Sequence, residues 1–389
     1  MSGPVPGAAI VGVGLTALAE HRHRTAAGLA AEALVAALAD SGLSREDIDG
    51  FVWNMGRPSG EDYDRLMENL GLRTRFSLQF WTHGRFMGAS LSTAAMAIQT
   101  GQADIVACVG GLKRAGADPA NWGVPHPGHD RYGMHTFTDE AALTYRRYLD
   151  LYDVPPERLA DVVLASRAYG ALNEQAMLRE PMSVQDYLDA PFWADPLRTV
   201  DCAPMTAAGV PRPAAGVCVL IARSDLAAGL RKPPVHIAAY QGIQAGRDEV
   251  YWGRPGLGLF TQNTSAFTPS AWDLAVYERA GVTPGDVDGI YIYDVFSSLV
   301  WLTLERLGHC EPGTASSWAS QDRIGPGGAF PVNTNGGMLS EGHTAGWGQV
   351  VELTRQLRHE AGPRQIPDAS LLQWAAVFGD SILFTNEQR

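Results

Sequence analysis

An internal repeat constrains the fold of this chain more than any other sequence feature. The segments GLSREDIDGFVWN at 42–54 and GVTPGDVDGIYIY at 281–293 match at a constant offset of 239 residues. Each copy follows an Ala-rich helical stretch and leads into an apolar strand. Later in each half, a Gly-led helix is followed by another apolar strand. Two copies of this α/β unit predict a duplicated five-layer α/β/α/β/α sandwich with pseudo-twofold symmetry.

A Pro-Pro break in DLAAGLRKPPVHIAAYQG marks the boundary that the repeat requires. We therefore divide the 389 residues into an N-terminal half, 1–230, and a C-terminal half, 231–389. The first half carries an inserted loop region at about 112–200, within which 139–150 and 156–173 have helical patterns. Residues 61–76 read as a charged, less regular segment.

Charge and composition exclude several classes of protein. The net charge is -12 and no Lys/Arg run is longer than a pair, which argues against nucleic acid and anionic membrane surfaces as partners. No apolar run reaches the ~18 residues of a membrane span. The N-terminus lacks the features of a signal peptide, and the four cysteines have no CxxC spacing. We expect a cytoplasmic protein without disulfides or a zinc site.

A short motif near the N-terminus resembles a dinucleotide-binding sequence. Gly12, Gly14 and Ala17 spell GxGxxA after an apolar run. That motif requires a helix to open at once and an acidic residue at the end of the next strand. Here AEHRHR intervenes and the next strand candidate ends at Asn54, so the pattern argues against a nucleotide site.

The segment 320–343, SQDRIGPGGAFPVNTNGGMLSEGH, is the strongest candidate for a functional loop. It contains eight glycines or prolines and delivers His343 to the start of an amphipathic helical pattern. A polar, Gly-rich loop that brings one histidine to a helix start can bind an anionic oxygen. The alternative is a glycine-rich turn whose histidine only caps the helix.

Several stretches together resemble one family. They are AAIVGVGLT, ALADSGLSREDIDG, AAMAIQTGQADIVACVGG, AVYERAGVTPGDVDGIYIYDVF and NTNGGMLSEGHTAG. These resemble the thiolase superfamily over nearly the whole chain, and the last resembles its Asn-x-x-Gly-Gly…Gly-His loop. LERLGHCEPG and RLADVVLASRAYGALN are most similar to the sterol-carrier or lipid-transfer branch. The resemblance implies the thiolase fold.

The chain departs from degradative thiolases where their nucleophile stands. The stretch that corresponds to the cysteine of the first half, WTHGRFMGAS at 81–90, has no cysteine in any register. The second catalytic cysteine, expected near LLQWAAVFGDSIL, is also missing. Acyl-cysteine chemistry is therefore disfavoured. His83 and Thr82 lie beside the vacant position, and His83 is a further catalytic candidate.

Tyr293-Asp294-Val295-Phe296 stands where thiolases read Asn-Glu-Ala-Phe, and this Tyr-Asp pair resembles the thiolase-like aldolases that cleave steroid side chains. The resemblance implies a carbon–carbon lyase that cleaves a β-hydroxyacyl-CoA, with a steroid side-chain thioester as one candidate substrate. One departure is that His343 stands where those aldolases have a tyrosine. The alternatives are a cysteine-less acyltransferase or condensing enzyme, and a non-catalytic acyl-CoA or lipid binder.

A retro-aldol step needs a base for the β-hydroxyl and donors for the thioester oxygen. Tyr293 is the candidate for the hydroxyl proton, His343 for the oxyanion and Asp294 for orienting a neighbour. An edge-strand tyrosine in water and a structural aspartate are the alternatives. The loop also supplies the predicted substrate-binding residues, which are Asn333, Gly336, Gly337 and Gly342; a loop hydrogen-bonding role is the alternative for Asn333.

The reaction implied by the resemblance needs no cofactor beyond the coenzyme A of the substrate. Arg247 and Arg254 are candidates for contacts with its phosphates. His126, His129 and His135 with Asp130 match no zinc template, so we expect no metal. The family resemblance also implies a homodimer, and a small OB-fold partner with a zinc ribbon that completes a heterotetramer.

Overall fold

The computed structural model describes residues 7–19, 24–55, 63–81, 87–112, 131, 133–204, 214–246, 248–257 and 267–387. Its strands are β1 Ala8–Leu15, β2 Gly50–Met55, β3 Phe76–Trp81, β4 Ile105–Leu112, β5 Phe192–Ala194, β6 Leu197–Arg198, β7 Ala215–Arg223, β8 Val235–Gln241, β9 Gly289–Ile292, β10 Leu371–Ala375 and β11 Ser381–Thr385. Its helices are α1 Ala26–Ser41, α2 Tyr63–Leu70, α3 Met87–Gln99, α4 Phe137–Tyr152, α5 Ala160–Leu172, α6 Val184–Asp189, α7 Ser224–Ala227, α8 Ala275–Ala280, α9 Ser298–Arg306, α10 Ala315–Trp318, α11 Gln321–Ile324, α12 Gly337–Ser340 and α13 Trp347–Leu357.

The predicted duplication is visible in the strand order, which is β3-β2-β4-β7-β1 in the first half and β8-β11-β10-β9 in the second. Strands β2 and β4 are parallel, as are β9 and β10. The next pairs, β4–β7 and β10–β11, are antiparallel, and so are β7–β1 and β11–β8. Two residue pairs between β1 and β8 join the halves into one hydrogen-bonded order.

Helices complete the layers on both sides of these strands. α1 packs on β1 and β7, and α8 packs on β8 and β11, so that each half has an outer helix. α3 and α13 contact strands of both halves and form the central layer. α3 has the sequence MGASLSTAAMAIQ and nine of its residues are buried, because a helix between two layers has little solvent-facing surface. The predicted five-layer arrangement is confirmed.

The repeated aspartates explain why the two halves share a sequence signature. Asp49, just before β2, accepts the backbone N–H of Ile105 at 2.8 Å and thereby fixes the start of β4. Asp288, just before β9, accepts the N–H of Leu371 at 2.9 Å and fixes the start of β10 in the same way. Each carboxylate satisfies amide donors at a strand start that the ladder leaves open. The repeat therefore encodes the register of the parallel strand pair in each half.

The other repeated residues perform matching local tasks. Gly42 and Gly281 end α1 and α8 in the left-handed conformation, with φ of 78° and 68°. Asp47 accepts from the hydroxyl of Ser44 at 2.8 Å, while Asp286 accepts from that of Thr283 at 2.7 Å. These bonds cap the same short turn before each strand.

The glycines of GxGxxA serve helix packing. A Cβ atom on Gly14 would lie 2.0 Å from the carbonyl oxygen of Ala33, and one on Gly12 would lie 2.5 Å from that of Ala37. Glycine at these positions lets β1 pass directly beneath the backbone of α1. Close backbone packing accounts for the motif without a nucleotide.

The expectation of an irregular segment at 61–76 is wrong. Residues 63–70 form α2, and β3 follows at Phe76–Trp81 as the edge strand of the nine-stranded order. Both elements are short, and the polar residues Arg73, Thr74 and Arg75 lie between them, so the sequence pattern of neither element stands out. Residues 230 and 231 lie in the turn between α7 and β8, and the two-domain division itself stays a prediction.

The inserted region contains α4, α5 and α6 rather than loops alone, and a buried ion pair anchors it to the second half. Arg254 and Glu305 are both fully buried, with Nε to Oε2 at 2.9 Å. Glu305 also accepts from the hydroxyl of Tyr148 on α4 at 2.6 Å. A buried pair of this kind needs every remaining donor satisfied, and Tyr152 accepts the second guanidinium nitrogen at 2.8 Å. This network fixes α9, which follows the Tyr-Asp pair.

Candidate functional site

The Tyr-Asp pair lies at the carboxyl end of β9, next to the central helical layer. Tyr293 donates its backbone N–H to the carbonyl oxygen of Ala375 at 2.9 Å, so the chain continues the β9–β10 pairing by one residue. Its side chain is fully buried. The alternative of an edge-strand tyrosine in water is therefore wrong, because β10 covers β9 on one side and the segment 331–333 covers it on the other.

Tyr293 and His343 meet in the interior of the protein. Their ring centroids are 6.2 Å apart and the ring planes are at 85°, an edge-to-face contact. Both side chains are buried, with 0% and 1% of their surface exposed. The two residues are 50 positions apart in sequence, and the structure brings together the pair that the sequence proposes for chemistry.

His343 does not lie at a helix start, contrary to the sequence expectation. Ala345 and Gly346 have φ of 57° and 88°, so the backbone leaves the helical region before α13 begins at Trp347. The hydroxyl of Thr344 accepts the N–H of Gly348 at 2.9 Å and takes the capping role. The reading of His343 as a simple helix cap is therefore wrong, and so is the placement of its imidazole at a helix N-terminus.

Asp294 points away from solvent and into the glycine loop. Its Oδ1 accepts the N–H of Met338 at 2.8 Å and the side-chain amide of Gln349 at 3.0 Å. Burial raises the pKa of Asp294 to about 7, although the hydrogen bonds it accepts oppose that shift. A carboxyl group held in this way positions the loop that carries His343, and a catalytic role for Asp294 stays a prediction.

Gly337 is required by this contact. A Cβ atom on Gly337 would lie 2.0 Å from Oδ2 of Asp294, and the residue has a φ of 59°. Only glycine lets the backbone approach the carboxyl group so closely. Its predicted role in substrate binding stays a prediction.

Asn333 joins the loop to β9 through its side chain. Its Oδ1 accepts the N–H of Ile292 at 2.8 Å, and its Nδ2 donates to the carbonyl oxygen of the same residue at 3.1 Å. The side chain thus imitates a neighbouring strand at the point where β9 ends. These contacts favour the loop hydrogen-bonding alternative for Asn333 over direct contact with substrate.

The other two glycines that the sequence analysis assigns to substrate binding also have positive φ and close neighbours. Gly336 has a φ of 95°, and a Cβ atom there would lie 3.0 Å from the backbone of Gly170 in α5. Gly342 has a φ of 130°, and its Cβ would lie 3.1 Å from the sulfur of Met177. A substrate-binding role for either stays a prediction.

Sequence reasoning missed that α5 holds this loop from the other side. Ser166 donates to the carbonyl oxygen of Gly336 at 2.6 Å, and Asn173 donates to that of Asn335 at 2.9 Å. Asn173 also reaches Glu341, a buried carboxyl group two residues before His343, at 3.1 Å. Burial, reinforced by the nearby Glu352 carboxylate, raises the pKa of Glu341 to about 7. The sequence did offer one signal for these contacts. Ser166 and Asn173 are seven positions apart in RLADVVLASRAYGALN, which places both polar side chains on one face of the helix.

Other predicted residues fall outside this cluster or outside the described residues. His83, Thr82, His126, His129, Asp130 and Arg247 lie outside the described residues. His135 is described and exposed, and no group of three His, Cys, Asp or Glu side chains within the described ranges could hold a metal ion. The proposed phosphate contact of Arg254 is wrong, because its guanidinium is buried against Glu305.

The cysteines show no sign of nucleophilic activation. Cys108, Cys202 and Cys218 are buried and Cys310 is partly buried, and all four are free thiols. Burial raises the pKa of Cys108, Cys218 and Cys310 above the usual thiol value, which keeps the thiols neutral. The thiolate that an acyl-enzyme requires is disfavoured at these positions.

Two cavities among the described residues lie away from the Tyr293–His343 pair. One of about 860 Å³ lies beside Trp318 between the loops 284–288, 326–331 and 363–367. Another of about 790 Å³ is lined by Phe267 and Trp272. Because Tyr293 and His343 line neither cavity, the site is located by its side-chain geometry. None of the helices in the described ranges combines the length and hydropathy needed to cross a membrane.

Comparison with known proteins gives consistent results. A family model described as "Thiolase C-terminal domain-like" matches residues 261–383. The chain is 30% identical over 372 residues to a 17-hydroxy-3-oxo-4-pregnene-20-carboxyl-CoA lyase of Mycobacterium tuberculosis. The alignment covers 90% of this chain and 91% of the lyase. It is 29% identical over 382 residues to a steroid side-chain-cleaving aldolase of Thermomonospora curvata, with 91% of each chain covered.

The fold is also that of a solved structure. The chain superposes on the Ltp2-ChsH2(DUF35) aldolase with a TM-score of 0.85 and 25% identity, and 100% of both chains is covered. The fold predicted from the repeat and the loop motif is confirmed by this match.

Substitution of Gly337 should be far more damaging than substitution of a glycine with similar backbone geometry. Gly327 also has a positive φ, 77°, but a Cβ there would have nothing within 4 Å. We expect Gly337→Ala to lower the free energy of unfolding by roughly 1–3 kcal/mol more than Gly327→Ala does, because only the former displaces the Asp294 carboxyl group. Equal losses in denaturant titrations would show that this contact does not constrain the loop.

The raised pKa of Asp294 predicts a pH-dependent difference between the protein and an Asp294→Asn variant. The folded-state pKa, about 7, lies above the ordinary value of 3.8, so the stabilising contribution is present below pH ~4 and is lost as the pH rises to about 7. The wild type should therefore lose stability relative to the variant across this window. Thermal unfolding midpoints of both proteins from pH 4 to 8 measure it. Parallel curves would contradict the assignment.

Proposed function

This chain belongs to the thiolase superfamily and to its steroid side-chain aldolase branch, and from that premise we propose that it cleaves a β-hydroxyacyl-CoA by a cysteine-independent retro-aldol reaction. The observation that carries the proposal is the buried edge-to-face contact of Tyr293 with His343. Two groups able to exchange protons therefore face each other in a site that excludes water.

In the proposed reaction the base removes the proton of the β-hydroxyl group, and that oxygen becomes the carbonyl of the released ketone or aldehyde. The electron pair of the broken carbon–carbon bond moves to the thioester, which becomes an enolate. An acid then delivers a proton to the α-carbon and releases a shorter acyl-CoA. Every atom of the substrate is recovered in the two products, and no covalent enzyme intermediate is needed.

We assign the hydroxyl proton to Tyr293 and the thioester oxygen to a ring N–H of His343. A preorganised donor aimed at a developing oxyanion contributes more in a buried site than in water. His83 stays a candidate for the second proton transfer, although it lies outside the described residues. Asp294 and Asn333 hold the loop that carries His343 and need not contact the substrate.

The substrate class is proposed from the relatives. The name of the Mycobacterium tuberculosis lyase specifies a steroid CoA thioester with a hydroxyl group β to the thioester carbonyl. A retro-aldol reaction on such a compound gives a 17-ketosteroid and propionyl-CoA. We propose a steroid side-chain CoA thioester as substrate, with coenzyme A bound only as part of it and no further cofactor.

Partner proteins are proposed on two grounds. The solved aldolase contains a DUF35 component, which supports a protein partner of this kind. We propose that the partner is a small OB-fold protein with a zinc ribbon and that the assembly is a heterotetramer. β3 ends the sheet order as an edge strand, which supports a homodimer through strand pairing. The four free cysteines support a reducing compartment, and we propose the cytoplasm.

The test is product analysis with 17-hydroxy-3-oxo-4-pregnene-20-carboxyl-CoA, alone and with a DUF35 protein. We expect a 17-ketosteroid and propionyl-CoA in equal amounts. Tyr293→Phe and His343→Ala should each lower kcat by roughly 100-fold or more, since each removes a group used in the transition state. Tyr63→Phe, on the surface helix α2, is the matched control and should retain full activity.

Folding of each variant is checked by circular dichroism and thermal unfolding. Full activity of either site variant would remove that residue from the mechanism. Binding of the thioester without cleavage, in both the presence and absence of the partner, would instead favour a non-catalytic acyl-CoA binder.

A further inference from the structure

A buried carboxylate outside the catalytic pair holds the segment that carries Tyr293. Asp201 is fully buried in the turn before Cys202, at the end of the inserted region. Its Oδ1 accepts the hydroxyl of Ser297 at 2.6 Å. Its Oδ2 accepts the hydroxyl of Tyr187 at 3.1 Å and the backbone N–H of Arg198 at 2.8 Å. Two of these donors belong to the inserted region, whereas Ser297 belongs to the segment that follows Tyr293.

Backbone hydrogen bonds reinforce the same junction. Ser297 donates its N–H to the carbonyl oxygen of Asp201 at 2.9 Å, and Ala203 donates to that of Val295 at 2.9 Å. Cys202 and Phe296 form an antiparallel bridge between these bonds. The short stretch 201–203 therefore pairs with 295–297 as a two-strand clamp, although Asp201 and Ser297 are 96 residues apart in sequence.

The clamp fixes one end of the catalytic segment while β10 fixes the other. Tyr293 is tied to Ala375 at its N-terminal side, and Ser297 is tied to Asp201 at its C-terminal side. Asp294 holds the glycine loop between these two anchors. The orientation of the Tyr293 ring against His343 thus depends on a segment that is held at both ends.

We propose that Asp201 is a positioning residue, which sets the Tyr293–His343 geometry through its hydrogen bond to Ser297. The proposal rests on the function proposed above. It predicts that loss of the bond slows the chemical step, because rates depend steeply on the placement of reacting groups. It also predicts little effect on substrate binding. Asp201 is buried, and its carboxylate is occupied by the hydroxyls of Ser297 and Tyr187 and by the backbone N–H of Arg198.

The chemistry of the group suits this role. Burial raises the pKa of Asp201 to about 6, so the carboxylate still predominates at neutral pH and accepts from all three donors. Hydrogen bonds to a charged acceptor are stronger and shorter than neutral ones. An asparagine in its place can keep one oxygen acceptor for the N–H of Arg198 and the hydroxyl of Tyr187, and its amide group then faces the hydroxyl of Ser297. The bond to Ser297 thereby loses its charge and reverses its direction, which weakens the clamp.

The chain offers a matched control for the same pair of residue types. Ser183 donates its hydroxyl to Asp186 at 2.6 Å, the same distance as in the clamp, but this pair is an exposed helix cap at the start of α6. Ser183→Ala removes an equivalent bond without touching the Tyr293 segment. It should leave both kcat and KM unchanged.

The kinetic test compares Asp201→Asn, Ser297→Ala and Ser183→Ala in the full-length protein with its DUF35 partner. We expect the first two to lower kcat roughly 10- to 100-fold with KM within about twofold, as expected for misplaced reacting groups. The double variant should be no slower than the slower single variant, because both changes act on the same hydrogen bond between Asp201 and Ser297. A purely structural role would instead lower thermal stability and leave kcat unchanged, which would overturn the proposal.

A second readout does not depend on turnover. The rings of His343 and Tyr293 are in edge-to-face contact, so the NMR signals of the His343 ring protons depend on the position of the Tyr293 ring. These signals are identified by their loss in His343→Gln. We expect Ser297→Ala to shift these signals and Ser183→Ala to leave them in place. If the wild type cleaves no thioester, the proposed function is wrong. The NMR signal still tests whether Asp201 and Ser297 position the Tyr293 ring, because it does not require turnover. An unshifted signal in Ser297→Ala would overturn the positioning role.

Discussion

The contact between the Asp294 carboxyl group and the glycine loop is the constraint on which the site depends. The carboxyl group takes the backbone N–H of Met338 and the side chain of Gln349, and the backbone of Gly337 passes so close that no side chain fits. This arrangement brings the end of β9 and the residues before α13 together. Tyr293 immediately precedes Asp294, and His343 lies at the end of the loop that Asp294 holds, so this contact helps to bring the two rings together.

The rest of the fold works to hold that contact in place. The repeated aspartates, Asp49 and Asp288, fix the parallel strands of each half in register. The inserted region then closes on the site from two directions, through α5 against the glycine loop and through Asp201 against the Tyr293 segment. The described site residues belong to the second half, and α5 and Asp201 of the first half add to the support that the second half gives them.

Local sequence signals were sufficient for the scaffold and for part of the site. The repeat predicted the duplication, and the Tyr-Asp pair and the His343 loop were both found by their motifs. Features that depend on backbone conformation or distant contacts were missed. The left-handed Ala345 and Gly346 separate His343 from α13, which no periodicity reveals.

Long-range polar contacts were hidden from sequence for the same reason. Asn173 and Asp201 reach partners that are 162 and 96 residues away, so their neighbours in sequence say nothing about their roles. The edge strand β3 was missed because it is only six residues long and directly follows the charged stretch that ends at Arg75.

The central claim is that this thiolase fold breaks a carbon–carbon bond without an acyl-enzyme. Thiolytic cleavage consumes free coenzyme A and passes through an acylated cysteine, whereas a retro-aldol reaction needs neither. The direct measurement is turnover in D₂O without added coenzyme A, followed by mass spectrometry of the acyl-CoA product and of the intact protein. The account predicts one deuterium at the α-carbon of the product and, after return to H₂O, a protein without an acyl adduct. Product formation only with added coenzyme A, or an acylated protein, would contradict it.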